Sequence, residues 1–201
     1  MTNEQSKSST TEQTAASTTP YTAEVSVDRE LGSTVISLGY TDKENPARNI
    51  SVGIAPELGS NLFRFRVGEH DIIFTEQDLL KRMDFTGDFV LWPLPNRVRD
   101  KRYTYEGQTY SLENVKRPQG NAVLIHGLVF DRPWLYEDPI VGPESASVTT
   151  YVDMTPESPF YENYPFASRL SLTYQLTHTG ITISYRVENK GDKALPYGFA
   201  I

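Results

Sequence analysis

The chain has 201 residues, 22% of them charged and 38% hydrophobic, with a net charge of -7 and no cysteine. That length suits one all-β domain with a sizeable core; the acidic balance argues against nucleic acid as a partner, and the missing thiols exclude disulfides and thiol chemistry. No apolar run approaches a membrane span, and no basic stretch followed by an apolar one opens the chain as a secretory signal would, so a cytoplasmic, reducing compartment is expected.

Residues 1–20 read as a disordered tail. Ten of these twenty are Ser or Thr, and so polar a segment has too little apolar surface to offset its ordering entropy. Strand signals begin at Tyr21. Ser33–Leu38 is apolar and β-branched, Ser51–Ala55 is a second strand closed by Pro56, and Leu62–Val67 is a third. A turn over Gly68–Asp71 should lead into a strand at Ile72–Phe74. The only helix-like pattern is short, roughly Glu76–Met83. Tyr103–Leu112 is a hairpin around Glu106–Gly107, where glycine supplies the positive φ of a tight turn. Leu170, Leu172, Tyr174 and Leu176 alternate with polar residues, then Ile181, Ile183, Tyr185 and Val187 do the same after a Thr177–Gly180 turn. Period-2 alternation gives each strand one core face. A further strand is expected over Leu195–Ile201, cut off in its apolar run, as in a fragment of a longer protein. Strand upon strand with little helix argues for packed antiparallel sheets, an all-β fold.

Ionisable residues set between aromatic and proline anchors are concentrated from Trp92 to Trp134. W-P-L-P-N-R occupies 92–97 and H-G-L-V-F-D-R-P-W occupies 126–134. Arg97 offers a planar fork of donors suited to several oxygen atoms. Asn96 adds a donor and an acceptor, and the neighbouring prolines stiffen the loop; the alternative is an arginine that ties down its own loop. Of the three histidines, His70 and His178 read as solvent-facing turn residues. His126 follows the apolar Val123–Ile125 run, expected to be a strand, and precedes a glycine. It can face a closely approaching ligand and move a proton near neutrality, or be a satisfied core histidine. Asp131 and Arg132 suit a loop brace. Trp134 and Trp92 can stack on a sugar or fill the core, and the twelve tyrosines suit a carbohydrate binder or simply strands. Asp84 and Asp88 read as loop residues, and Arg99, Lys101 and Arg102 as a solvated face or a source of charge for a phosphorylated sugar. No metal-ligand spacing or phosphate-binding glycine loop is present.

Four stretches carry a family resemblance: I-A-P-E-L-G-S-N-L at 54–62, G-D-F-V-L-W-P-L-P-N-R-V-R-D-K-R-Y-T-Y-E-G-Q-T-Y-S-L at 87–112, H-G-L-V-F-D-R-P-W at 126–134 and L-P-Y-G-F-A-I at 195–201. From about Thr34 to Ile201 the chain resembles the N-terminal two-thirds of an aldose 1-epimerase, or galactose mutarotase. The resemblance implies a large antiparallel β-sandwich that binds a hexose and uses neither metal nor organic cofactor. It implies that Arg97, with Asn96 beside it, binds sugar hydroxyls, and that His126 lies in the pocket against the ring oxygen or a hydroxyl. Family members also carry a second histidine, an aspartate and a glutamate base beyond the segment matching Pro196–Ile201. These have no counterpart in residues 1–201, and His178 precedes the expected position. The resemblance therefore implies anomer interconversion by the full-length protein and an inactive fragment, with a non-catalytic carbohydrate-binding sandwich as the alternative.

Overall fold

The computed structural model describes residues 19–116 and 124–201; the tail expected over 1–20 lies outside the described residues except for Thr19 and Pro20. Two antiparallel sheets enclose one core. The first is a meander of β1 (Tyr21–Asp28), β2 (Ser33–Tyr40), β3 (Ile50–Ala55), β4 (Asn61–Val67) and β5 (His70–Asp71), in that order. A five-residue helix, α1 (Gln77–Lys81), follows, started by the Glu76 carboxylate, which accepts from the backbone N–H groups of Asp78 and Leu79. A separate hairpin pairs β6 (Arg102–Tyr105) with β7 (Gln108–Ser111). The second sheet has the order β12 (Gly180–Asn189), β11 (Ser168–Thr177), β10 (Ala146–Met154), β8 (Leu135–Tyr136), with β9 (Ile140–Val141) also on β10.

The sandwich follows from alternation. Along β10 and β11 buried residues alternate with half-buried or exposed ones, so Val148, Val152, Leu170, Leu172 and Leu176 point inward to meet Ile36, Leu38, Val52 and Ile54 of the first sheet. Trp92, Leu112 and Leu128 join this core from the irregular segments between the sheets. At its centre the buried hydroxyls of Ser60 and Thr150 lie 2.6 Å apart, and the Tyr174 hydroxyl donates to the Ser60 carbonyl at 2.7 Å. Burial pushes the Tyr174 phenol well above its ordinary value, so it stays a neutral donor.

The β6–β7 turn has positive φ at both Glu106 and Gly107, as a two-residue hairpin of matching twist requires. The β11–β12 loop is His178–Thr179, closed by the Thr177–Gly180 pair. Several expectations are corrected. The strand after the Gly68–Glu69 turn is His70–Asp71, and Ile72–Phe74 is irregular. Leu124 and Ile125 form no strand, and Val123 lies outside the described residues. Leu195–Ile201 forms no strand either, only a single bridge between Ala200 and Leu91. Its neighbouring segment contains Pro93 and Pro95, which have no N–H to donate, so no ladder can propagate there. Among the described residues no helix is long and apolar enough to cross a membrane.

Candidate functional site

Asn96, Arg97 and His126 sit on two irregular segments, each fixed by backbone hydrogen bonds. Leu91 and Ala200 exchange both of theirs at 2.9 and 3.1 Å, and Gly198 N–H donates to the Pro93 carbonyl at 2.7 Å. On the other side Leu128 N–H donates to the Trp92 carbonyl at 2.7 Å, and Val98 N–H to the Leu124 carbonyl at 3.0 Å. Segments 92–98 and 124–128 are thus tied together at both ends, with Arg97 beside one tie and His126 between them. Gly127 makes this approach workable. It has φ +76°, and a Cβ there would lie 2.2 Å from the Trp92 carbonyl oxygen.

Asn96 and Arg97 are exposed at the mouth of a cleft of about 670 Å³, lined also by Val98, Arg99, Asp100, Lys101, Glu113 and Leu124. The Asn96 side-chain oxygen accepts from the Arg97 N–H at 2.7 Å, which fixes the turn that presents the arginine. Three cations face two carboxylates in this lining, a net positive balance. Arg102, outside this lining, pairs with its Glu113 carboxylate at 3.0 Å.

His126 is half-buried with φ +66°. Its imidazole stands edge-on to Phe85, with ring centroids 4.6 Å apart at 77°, and lies 5.4 Å from Phe89 and 6.1 Å from Phe130. Phe85 is 45% exposed, so this aromatic wall is open to solvent on one side. The sequence reading missed all three phenylalanines. Their signals are the Phe85-x-x-x-Phe89 spacing and a phenylalanine four residues after His126. The cleft lining reaches Leu124, two residues before His126, and does not include His126 itself. Asp88, next to Phe89, is half-buried, and burial raises its carboxyl pKa.

The 128–134 loop is braced from inside. Trp134 is only 3% exposed, and its indole N–H donates to the Val129 carbonyl at 3.0 Å. A ring with no accessible face cannot stack on a sugar, so the stacking role considered for Trp134 does not fit. Trp92 is fully buried and subject to the same argument. Asp131 is also buried; its carboxylate lies 3.6 Å from the Arg132 guanidinium, which donates to the Lys116 carbonyl at 2.9 Å. These contacts hold the loop behind His126. His70 and His178 are exposed, on β5 and in the β11–β12 turn respectively.

The structure resembles a galactose mutarotase-like protein from Clostridium acetobutylicum with a TM-score of 0.71 at 20% identity, over 88% of this chain and 51% of that one. A galactose mutarotase-like protein from Lactobacillus casei matches with a TM-score of 0.57 at 20% identity, over 75% of this chain and 45% of that one. In sequence, 113 residues are 34% identical to the uncharacterized protein YihR of Escherichia coli K12, covering 56% of this chain and 33% of that protein. The chain thus spans about half the length of these solved structures and about a third of that curated relative. Residues 44–201 match the family model described as aldose 1-epimerase, and the chain belongs to that family.

Proposed function

We propose that the full-length protein interconverts the α and β anomers of a hexose, and that residues 1–201 carry its recognition half. The observation that carries this reading is the pairing of segments 92–98 and 124–128, which sets the Asn96–Arg97 cleft beside the half-buried His126 in a chain of this family.

The chemistry sets the requirement. A carboxylate removes the proton from the C1 hydroxyl while an imidazolium delivers one to the ring oxygen. The C1–O bond of the ring breaks, leaving an aldehyde. Rotation about C1–C2 turns its other face to the hydroxyl, and the reverse transfers reclose the ring. The two groups must act from different sides of the sugar. Arg97 and Asn96 suit the binding of hydroxyls, and His126 suits donation to the ring oxygen or a hydroxyl. These three residues include no carboxylate to serve as the general base, so residues 1–201 alone should not accelerate the reaction. The expected location is the cytoplasm.

The test follows the optical rotation of freshly dissolved α-D-glucose and α-D-galactose. No acceleration by the 22.7 kDa chain, with fast relaxation by a longer product that His126→Ala abolishes, supports the proposal. Full activity of the 201-residue chain would defeat the claim of a missing base. Sugar binding without acceleration in the longest product would favour a non-catalytic carbohydrate-binding sandwich.

A further inference from the structure

A second concavity lies where the β11–β12 turn meets the end of the first sheet. It has two lobes that share Tyr40, His178 and Thr179. One lobe, of about 630 Å³, is walled by Tyr21, Pro143, Glu144 and Gln175. The other, of about 380 Å³, is walled by Asp42, Arg48 and Phe65. Both volumes fall in the range of roughly 300–1,000 Å³ usual for small-molecule sites. Neither lining contains Asn96, Arg97 or His126.

The walls are held in place by bonds between elements distant in sequence. The His178 N–H donates to the Tyr21 hydroxyl oxygen at 3.0 Å, fixing the turn against β1. The Thr19 hydroxyl donates to the Gly142 carbonyl at 2.8 Å, and Gly142 N–H to the Ser145 carbonyl at 2.9 Å, fixing the opposite rim. Tyr21 and Tyr40 pack with centroids 5.2 Å apart, and Tyr40 and His178 at 6.3 Å. The concavity is therefore preformed, which lowers the ordering cost of binding.

Its chemistry is that of a polyhydroxylated ring with apolar faces. The half-buried Tyr40 and the exposed His178 form an aromatic divide between the lobes. Each lobe then adds planar polar groups that can take hydroxyls in pairs: Glu144 with Gln175 on one side, Asp42 with Arg48 on the other. Two carboxylates against one guanidinium leave the lining net negative, opposite in sign to the Arg97 cleft, which disfavours phosphorylated or acidic ligands.

We propose that this concavity binds a neutral disaccharide, one ring in each lobe across the Tyr40–His178 divide. It would hold a carbohydrate away from the candidate catalytic residues. The inference is independent of the epimerase reading.

The three histidines provide the test, since their imidazole proton resonances report separately on His178, His126 and the exposed His70. The 201-residue chain is titrated with lactose, maltose, glucose and glucose 6-phosphate in turn. The expected result is a saturable shift of His178 resonances with a disaccharide in the millimolar range, weaker with glucose and absent with glucose 6-phosphate, while His70 stays still. Tyr40→Ala should weaken that response by about tenfold or more, the effect of removing one aromatic contact worth about 1–2 kcal/mol. Glu144→Ala and Gln175→Ala change only exposed rim residues, and each should weaken it in a protein with an unchanged spectrum. Movement of His126 alone would overturn this proposal and leave the epimerase reading standing; movement of His178 alone would do the reverse. An unshifted His178 in a well-dispersed spectrum, or wild-type affinity in both rim variants, would also overturn it.

Discussion

Two glycines with nearly the same backbone angle isolate the contact that holds His126 in place. Gly107 in the β6–β7 turn has φ +79° and nothing within 4 Å of where a Cβ would stand. Gly127 has φ +76°, but its Cβ would lie 2.2 Å from the Trp92 carbonyl oxygen and 2.6 Å from the Trp92 nitrogen. Alanine at either position pays for a left-handed conformation, about 1–2 kcal/mol. At Gly127 the added methyl must also push backbone against backbone at the edge of the core, an overpacking cost of about 1–3 kcal/mol. Gly107→Ala should therefore lose about 1–2 kcal/mol and Gly127→Ala about 2–5 kcal/mol. Urea unfolding of the two variants measures this, read as a shift in midpoint at unchanged slope. The difference between them, about 1–3 kcal/mol, reports the approach of segment 124–128 to Trp92. Equal losses would show that the two segments are not in contact, and the proposed juxtaposition of Arg97 and His126 would fall with them.

Two carboxylates should move stability in opposite directions with pH. Glu57 accepts from Thr34 N–H and from the Thr34 and Ser33 hydroxyls, which lowers its pKa. Its contribution is present above the unfolded pKa and lost as pH falls through the lower folded value. Because Glu57 is exposed, Glu57→Gln should cost no more than about 1 kcal/mol at neutral pH and flatten the acid side of the stability curve. Asp88 is raised by burial, so the native state holds its proton longer and stability falls as pH rises from the unfolded to the folded value. Asp88→Asn should remove that slope and be neutral or stabilising at pH 7; a loss of stability there would show that the carboxylate has a partner. Tyr174→Phe removes the donor to the buried Ser60 carbonyl and should cost about 1–3 kcal/mol in denaturant unfolding. Arg97, Arg99 and Lys101 line one cleft, so any affinity for glucose 6-phosphate should fall with added salt while affinity for glucose does not; parallel behaviour of the two ligands would remove the charge from the argument.

The β11–β12 hairpin was legible in sequence because four of the five inward positions along β11, Leu170, Leu172, Tyr174 and Leu176, are large and mainly apolar, and a two-residue loop fixes the register. The adjacent β10 was not recognised. Its inward positions include Ala146 and Thr150, and Thr150 is tolerated there because the Ser60 hydroxyl lies 2.6 Å away, a partner 90 residues distant. The opposite error occurred at Leu195–Ile201, where strand-like alternation faces a proline-containing neighbour and yields one bridge. At the site, Asn96, Arg97 and His126 could be picked out by residue type and anchoring. The aromatic wall around His126 was missed: the Phe85 and Phe89 spacing shows in the sequence, but nothing local to it says that these rings reach His126 across the intervening chain. The same holds for Trp134, whose stacking potential was cancelled by burial that only the folded loop produces.

The position of Asp88 bears on which reaction half resides in this chain. It is a carboxyl raised toward the range where a general base works best, and its neighbour Phe89 touches the His126 ring. Yet its effects run to the other side. Its backbone exchanges both hydrogen bonds with Leu62, at 3.0 Å each, and its charge acts on Tyr174 in the sandwich core. Where the chain is extended, adjacent side chains point to opposite faces, so a residue whose neighbour faces His126 is directed away from it. A raised pKa here follows from partial burial and does not mark the partner that anomer exchange needs. Asp88→Asn should therefore alter the pH dependence of stability and leave sugar-induced shifts of His126 unchanged. If it abolished those shifts in a folded protein, the base would have to be sought within these residues, and the proposal that residues 1–201 supply recognition without proton abstraction would be wrong.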